Sequence, residues 1–293
     1  MNLIQELRER FPLLAIEEKF SFSAHTTIGC GGIAAAAVYP ENISEAARVL
    51  AYCQDREIPF CFLGAGANVL PAEGRFQGIV MQFSRFRTLE LKGNEIVAGA
   101  GVTLGELLRF TREKRVGGFE AFTGIPATVG GATAMNAGVK DCHFSDVVKR
   151  VIGIRGGEIE EFSHGECRFS EKNSVFLSGI AVVEVAFRAP SSSLVQIELN
   201  TEMYRERRRH LPSGRSMGCT FVNPEGVSAG KLIEDCGLKG EKFGGAIVSN
   251  EHANFIINRG GTANDVAALI DKIKEKVFQK TGILLREEIR RIP

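Results

Sequence analysis

The groups in this chain that could do chemistry are its thiols, its paired carboxylates and its glycine runs. Cys219 stands in "SMGCTFVNPEG", Ser216 to Gly226, a run with little hydrophobic periodicity that sets a cysteine in a glycine-bracketed turn. Such a thiol is either a small buried residue or a group aimed at a substrate. The seven cysteines are odd in number and show no CxxC spacing, and HExxH is absent. A disulfide scaffold, a structural zinc and a zinc protease are therefore disfavoured, and no metal is expected. Glu287 and Glu288, near the end of the chain, read on composition alone as a solvated strand end.

Two glycine-rich stretches carry a second signal. "FLGAGANVL", residues 62–70, follows a strand, as a nucleotide-binding turn would. It is no dinucleotide fingerprint, because Val69 stands where a third glycine should open a helix, and without Gly-Lys-Ser/Thr it is no P-loop. What remains is a run of small residues whose backbone N–H groups can approach a pyrophosphate, with a plain tight turn as the simpler reading. "FTGIPATVGGATAMNAG", 122–138, buries little apolar surface, so it either admits a flat ligand or lets another backbone come close.

The elements that must position these groups follow from the punctuation. "ISEAARVLAYCQDREI" has the spacing of an amphipathic helix and feeds an apolar strand, "PFCFLG". "GIVMQF" is a strand, Gly93-Asn94 and Gly156-Gly157 mark hairpins, and "TLGELLRFTREKR" is a helix. "APSSSL", 189–194, has the composition of a linker and marks the expected domain boundary. Beyond it come a polar helix over "IELNTEMYRERRRHL", a short one over "SAGKLIEDCGL", and strands at "GGAIVS" and "ANFIIN". Thr262 and Asp265 have capping-box-like spacing before an apolar stripe of Val266, Leu269, Ile270, Ile273 and Val277. Short strands interspersed with helices, without internal repeats, predict an α+β protein.

Composition bounds the rest. At 293 residues, 44% apolar and 24% charged, the chain has the make-up of an ordinary globular protein with room for two or three units. A net charge of +1 gives no footprint for nucleic acid or an anionic membrane. There is no run of 18 apolar residues, and "MNLIQELRERFPLLAIEEKF" has neither the basic cap nor the apolar core of a signal peptide. A cytoplasmic protein that does not enter membranes is expected.

Several motifs together resemble the UDP-N-acetylenolpyruvoylglucosamine reductase family. "HTTIGCGGIA" is similar to that family's opening "NTxxIGGxA", "LGAGANVL" to its "GGGSNLL", and "GIPATVGGATAMNAG" to its "GIPGxVGGAxxMNAGA". "GCTFVNP", "AGKLIEDCGLKG", "GGAIVSNEHANFIIN" and "GILLREEI" then match in order, and the intact "SNEHANFIIN" in a short chain looks like the compact branch. The resemblance runs from about residue 25 to 292.

It implies an N-terminal segment (1–26), an FAD-binding domain of the vanillyl-alcohol-oxidase (PCMH) type (27–190) and a C-terminal α+β substrate-binding domain (191–293). The family reduces FAD with NADPH and passes the hydride to the enolpyruvyl group of UDP-N-acetylglucosamine enolpyruvate. The product is UDP-N-acetylmuramate, a peptidoglycan precursor. By resemblance Gly64, Ala65, Gly66, Ala67, Asn68, Gly124, Thr128, Gly130 and Gly131 contact the cofactor, and Asn223, Lys239 and His252 the substrate. Cys219 is then the general acid, which must be a neutral X–H group aimed at a carbanion-like carbon. A thiol with an ordinary pKa near 8.5 is mostly protonated at neutral pH and can donate. Glu288 matches the second glutamate of "LExEV" and acts beside the thiol, protonated or as an orienting partner. The other six cysteines are expected to be structural. A monomer is expected.

The sequence departs from the family at three places. "CRFSEKNSVF" replaces "CxFxYRxSxF", so Glu171 stands for the tyrosine and Lys172 for the arginine that meets the enolate. Lysine offers a point charge where arginine offers a planar fork, and Arg168 is a second candidate for the cation. Val222 replaces the lysine of "FKNP", and "NAGVKD" loses the aromatic of "NAGAYG". Two other readings stay open: a non-catalytic nucleotide-sugar and FAD-binding paralogue, and a flavoprotein of the same fold acting on another substrate.

Overall fold

The structure, a computed structural model, describes residues 3–139 and 142–293. The first two residues of the N-terminal segment lie outside the described residues, as do Lys140 and Asp141, where the missing aromatic of "NAGVKD" was noted. The chain divides into two units. One comprises Met1–Lys19, Ala35–Ala65 and Gln77–Arg208, the other Phe20–Ala34, Gly66–Phe76 and Arg209–Pro293.

The larger unit is organised by a five-stranded antiparallel sheet ordered Glu158–Ser163, Val148–Arg155, Ala181–Arg188, Glu95–Gly99 and Leu89–Lys92. Its hairpins turn at Gly93-Asn94 and Gly156-Gly157, and φ is 60° at Gly93 and 60° and 86° at the pair, the left-handed values that two-residue loops need. The central strand, Ala181–Arg188, is buried along nearly its whole length, which is why it is apolar on both faces apart from Glu184 and the terminal Arg188. Helix Ile43–Asp55 lies on the outer hairpin, close enough that a Cβ on Gly157 would stand 2.6 Å from that of Ala51. Edge-on aromatic pairs, Phe122 with Phe144 at 5.0 Å and Phe144 with Phe187 at 5.3 Å, fill the core beneath. A second sheet runs in the order Ala15–Ser21, Ile33–Tyr39, Arg75–Met81 and Phe60–Phe62.

The smaller unit has its own core of Ile28, Leu70, Phe221, Ile233, Val248, Ile256 and the buried stripe of the last helix, Val266, Leu269, Ile270, Ile273 and Val277. That helix, Ala263–Thr281, starts at the predicted capping box: Thr262 Oγ1 accepts from the Asp265 N–H, and Asp265 accepts from the Thr262 N–H at 2.8 Å. Around it stand helix Ala229–Asp235, the antiparallel strands Lys242–Phe243, Ala246–Val248 and Ile256–Asn258, and a parallel pair, Val69–Pro71 with Arg290–Ile292.

The division falls after Arg208, whereas punctuation placed a boundary at 189–194. Helix Leu194–Arg208 stays with the larger unit, where Arg112 pairs with Glu198 at 2.5 Å and Arg208 donates to the Gly124 carbonyl at 3.2 Å. Phe20–Ala34 and Gly66–Phe76 belong with the C-terminal part because long-range bonds hold them there. Thr27 Oγ1 donates to the Ser216 carbonyl at 2.6 Å, and Asn258 Nδ2 to that of Ile28 at 3.0 Å. No local pattern announces such bonds.

Thr262→Ala removes the hydroxyl that caps the last helix. We expect it to cost about 1 kcal/mol, read as a fall of a few degrees in the smaller unit's thermal transition. An unchanged calorimetric trace would mean that the box contributes nothing.

Candidate active site

The smaller unit brings two of the three expected catalytic residues onto neighbouring segments joined by isolated β-bridges. Cys219 follows Gly218, whose φ of 74° is one that side chains rarely adopt, so the glycine before the thiol is set by the backbone. Cys219 bridges to Phe255 and Phe221 to Glu287, so the thiol's segment lies between two others. The Glu288 N–H donates to the Thr220 carbonyl at 2.8 Å, one residue from Cys219. On the other side, the Thr220 N–H donates to the Asn254 carbonyl at 2.8 Å. The Asn254 side chain accepts from the Phe221 N–H at 2.9 Å and donates to the Phe221 carbonyl at 2.8 Å, closing both backbone groups of one buried residue. The Glu288 carbonyl in turn accepts from Asn68 Nδ2 at 3.1 Å.

Glu287 is ion-paired with Lys274 at 3.2 Å and Arg291 at 2.9 Å. Burial alone would raise its pKa, but the bonds from Arg291 and Lys274 outweigh it and hold the carboxyl below its ordinary range. Glu287 is therefore a structural anion.

The expected substrate residues gather around helix Ala229–Asp235. Asn223 Oδ1 accepts from the Ala229 N–H at 2.9 Å, which leaves its Nδ2 donors pointing elsewhere. Lys239 pairs with Glu234 at 2.9 Å, with its side chain 31% exposed. His252 lies against the same helix, where a Cβ on Gly230 would stand 3.2 Å from its Cε1, and its Nδ1 accepts from the Asn254 N–H at 3.3 Å. Burial, with the charge of Lys239 adding to it, pushes its pKa down, so the imidazole is neutral at neutral pH. Val222, where the family has a lysine, is buried and donates its N–H to the Arg286 carbonyl at 2.9 Å.

The two glycine stretches prove different in kind. Among the described residues, none of the backbone N–H groups of Gly64, Ala65, Gly66, Ala67 and Asn68 meets a protein acceptor, while the carbonyl of Gly66 accepts from the Thr27 N–H at 3.0 Å. Gly64 has no room for a side chain, since a Cβ would lie 2.6 Å from Thr128 Oγ1, and one on Gly66 would lie 2.2 Å from the His25 carbonyl oxygen. A line of donors without protein acceptors is what a pyrophosphate requires, so this loop fits FAD. The second stretch does not work in that way. It forms helix Val129–Ala134, and the N–H groups of Val129, Gly130 and Gly131 go to the Val102 carbonyl, the Ala100 carbonyl and Thr128 Oγ1. Gly130 is small because Ala100 comes close, 2.9 Å between Cβ atoms if Gly130 had one, so here it is another backbone that approaches. Gly124, at φ 75°, lies beside Arg208.

The third catalytic candidate lies on a loop of the larger unit that is tied to the end of this stretch. Asn136 Nδ2 donates to the Ser170 carbonyl at 2.9 Å and Ser174 Oγ to that of Ala134 at 2.7 Å. Lys172, half-buried at φ 55°, donates through Nζ to the Gly138 carbonyl at 3.2 Å. Arg168 is exposed at φ 47°, so of the two cations Lys172 is the one directed inward. Glu171 is exposed, and no ion pair of it is found among the described residues. Of the remaining cysteines, burial pushes Cys30 and Cys142 up to about 11 and Cys53, Cys61 and Cys167 up to about 12, which suits structural thiols.

Sequence reading missed Asn254, Thr27 and Asn258. For Asn254 and Asn258 the one signal was polarity inside an apolar, strand-like run, which becomes informative once burial is known: Asn254 is 3% exposed and Asn258 4%.

Comparison with known proteins places the whole chain. Residues 34–156 match the model of an FAD binding domain, and residues 209–292 that of the UDP-N-acetylenolpyruvoylglucosamine reductase C-terminal domain. The reductase of Geobacter metallireducens is 37% identical over 270 residues, covering 91% of this chain and 90% of that one. That of Listeria monocytogenes is 34% identical, covering 98% of both. The crystal structure of the Thermus caldophilus reductase superposes with a TM-score of 0.85 at 32% identity, covering 96% of this chain and 100% of that one. A glucooligosaccharide oxidase from Acremonium strictum shares the fold alone, with a TM-score of 0.53 at 14% identity. The expected α+β architecture with an FAD-binding domain of the vanillyl-alcohol-oxidase type stands, and by its full-length likeness to these enzymes the chain belongs to the UDP-N-acetylenolpyruvoylglucosamine reductase family.

Proposed function

We propose that the chain performs its family's reaction through Cys219, Glu288 and Lys172. It is an FAD-dependent oxidoreductase that reduces the enolpyruvyl group of UDP-N-acetylglucosamine enolpyruvate with NADPH, in peptidoglycan precursor synthesis. The observation that carries the assignment of roles is the backbone bond between Glu288 and Thr220, which sets the glutamate one residue from the thiol. A merely structural cysteine would need neither this neighbour nor a turn built on Gly218.

Bound FAD supplies hydride transfer, from NADPH to the vinyl carbon of the substrate. The chain's own residues do the rest. The amides of Gly64, Ala65, Gly66, Ala67 and Asn68 hold the cofactor's pyrophosphate, while Gly124, Thr128, Gly130 and Gly131 shape the surface beside it by close packing. Lys172 places a positive charge at the substrate carboxylate, where negative charge accumulates. Cys219 donates a proton to the adjacent carbon, and Glu288 supplies or orients that proton. Asn223 and Lys239 hold the nucleotide, the lysine exchanging Glu234 for a phosphate. His252, kept neutral, offers a hydrogen bond without a charge. We assign the cofactor chiefly to the part of the chain expected as the 27–190 domain, whose compact unit reaches Arg208, and the substrate to the C-terminal part that follows, in a cytoplasmic monomer. No helix among the described residues is long and apolar enough to cross a membrane.

The direct test is an anaerobic titration that watches the flavin absorbance. NADPH should bleach it and the enolpyruvyl nucleotide should restore it, whereas a bleached band that stays bleached would exclude this substrate. Cys219→Ala should leave reduction by NADPH nearly intact and slow reoxidation by substrate by about 10²- to 10⁴-fold. Equal losses in both steps would remove the general-acid role. Cys219→Ser should keep appreciable activity, because its hydroxyl donates from the same place.

Lys172→Ala should slow the second half-reaction at least about tenfold, and Arg168→Ala should not. The reverse pattern in stopped-flow traces would move the cation to Arg168.

His252 makes stability depend on pH. Its pKa lies below the ordinary 6.5, so under mildly acid conditions the unfolded chain binds a proton that the folded chain lacks. This contribution is fully present above 6.5 and is lost as pH falls through the depressed value. His252→Gln should narrow the gap between melting temperatures at about pH 7.5 and about pH 5.5, and an unchanged gap would place the acid sensitivity elsewhere.

A further inference from the structure

We infer that Asn68 is a positioning residue for Glu288, and that its side chain takes a hydrogen bond which would otherwise remove one amide from the cofactor loop. The inference rests on the roles proposed above for that loop and for Glu288. In the parallel pair, Val69 lies opposite Arg290, Leu70 opposite Arg291 and Pro71 opposite Ile292, and the Arg290 N–H donates to the Asn68 carbonyl at 2.9 Å. Continued one step back, a parallel ladder would bring the backbone N–H of Asn68 onto the Glu288 carbonyl. The structure makes that bond with the side chain: Nδ2 of Asn68 donates to the Glu288 carbonyl at 3.1 Å. The backbone N–H of Asn68 then meets no acceptor among the described residues and completes the run of five that begins at Gly64.

Two demands meet at this residue. The segment that leads from Glu288 into the strand Arg290–Ile292 must be anchored at Glu288, whose other backbone bond runs from its N–H to the Thr220 carbonyl at 2.8 Å. The loop must meanwhile keep its amides out of the protein's own ladders. A residue with one carboxamide carbon beyond Cβ can satisfy both. Alanine cannot, and aspartate presents no donor to the carbonyl of Glu288. In either variant the Glu288 carbonyl recaptures the backbone N–H of residue 68 or loses its anchor.

The test uses the full-length protein with Asn68→Ala and Asn68→Asp. Apoprotein reconstituted with FAD and followed by fluorescence should show affinity weakened by about tenfold, the effect of one lost amide on a charged group. In the apoprotein, the Arg290 amide should exchange hydrogen faster than in the wild type. At saturating FAD, reoxidation by the enolpyruvyl nucleotide should fall at least about tenfold more than reduction by NADPH, with its pH profile displaced. Half-reactions that match the wild type at saturating FAD would reduce Asn68 to a cofactor contact and overturn the inference. So would equal losses in both half-reactions together with a lower melting temperature, which would mark a purely structural residue. If Asn68→Ala does not fold, Asn68→Asp carries the same comparison. A wild-type protein that neither binds FAD nor turns over would instead sink the functional reading, independently of either variant.

Discussion

A protein has difficulty keeping several consecutive amides out of its own hydrogen bonds, and this structure is arranged around one such run. Backbone N–H groups are strong donors that nearby carbonyls readily capture. From Gly64 to Asn68 none is captured among the described residues, although the chain on either side is strand. The flanking contacts explain how. Gly64 lies against the Thr128 hydroxyl and Gly66 against the His25 carbonyl, each too closely for a side chain, and Thr27 engages the Gly66 carbonyl. The loop is held by its Gly66 carbonyl and by steric fit, while its donors stay out of the protein's own ladders.

The second glycine stretch shows how similar composition serves a different end. The amides at the start of helix Val129–Ala134 are all consumed inside the protein, and Gly130 exists to let the Ala100 backbone approach. One stretch leaves its donors unused by the protein, and the other brings elements close. Small residues alone do not tell these apart. The partners of each N–H do.

Most of the local structure was legible in the sequence. The hairpins at Gly93-Asn94 and Gly156-Gly157 and the cap at Thr262 were readable because turn and cap chemistry is encoded within a few residues. The larger-unit strands Ala15–Ser21 and Ile33–Tyr39 were not singled out, the second because "IAAAAVY" carries almost no alternation. Membership of Phe20–Ala34 and Gly66–Phe76 in the smaller unit was illegible, since it rests on bonds such as Thr27 to Ser216 that join distant parts of the chain. At the candidate site, Cys219 and Glu288 were found through family motifs. Asn254, which closes both backbone groups of Phe221, went unnoticed because an asparagine in an apolar run has no meaning until its burial is known.

The way the chain is divided between its units bears on how such a protein can be inherited. The smaller unit is assembled from three separate stretches, and its core includes Ile28 and Leu70 beside residues that come after Arg209. The stretch 209–292 that a family model recognises is therefore not a portable module. Expressed alone, it would lack the strand that pairs with Arg290–Ile292 and the segment that anchors Asn258. Recombination at that boundary would exchange a sequence label without transferring a foldable body. A lineage can diversify the smaller unit residue by residue, but a single crossover at that boundary would transfer only part of it.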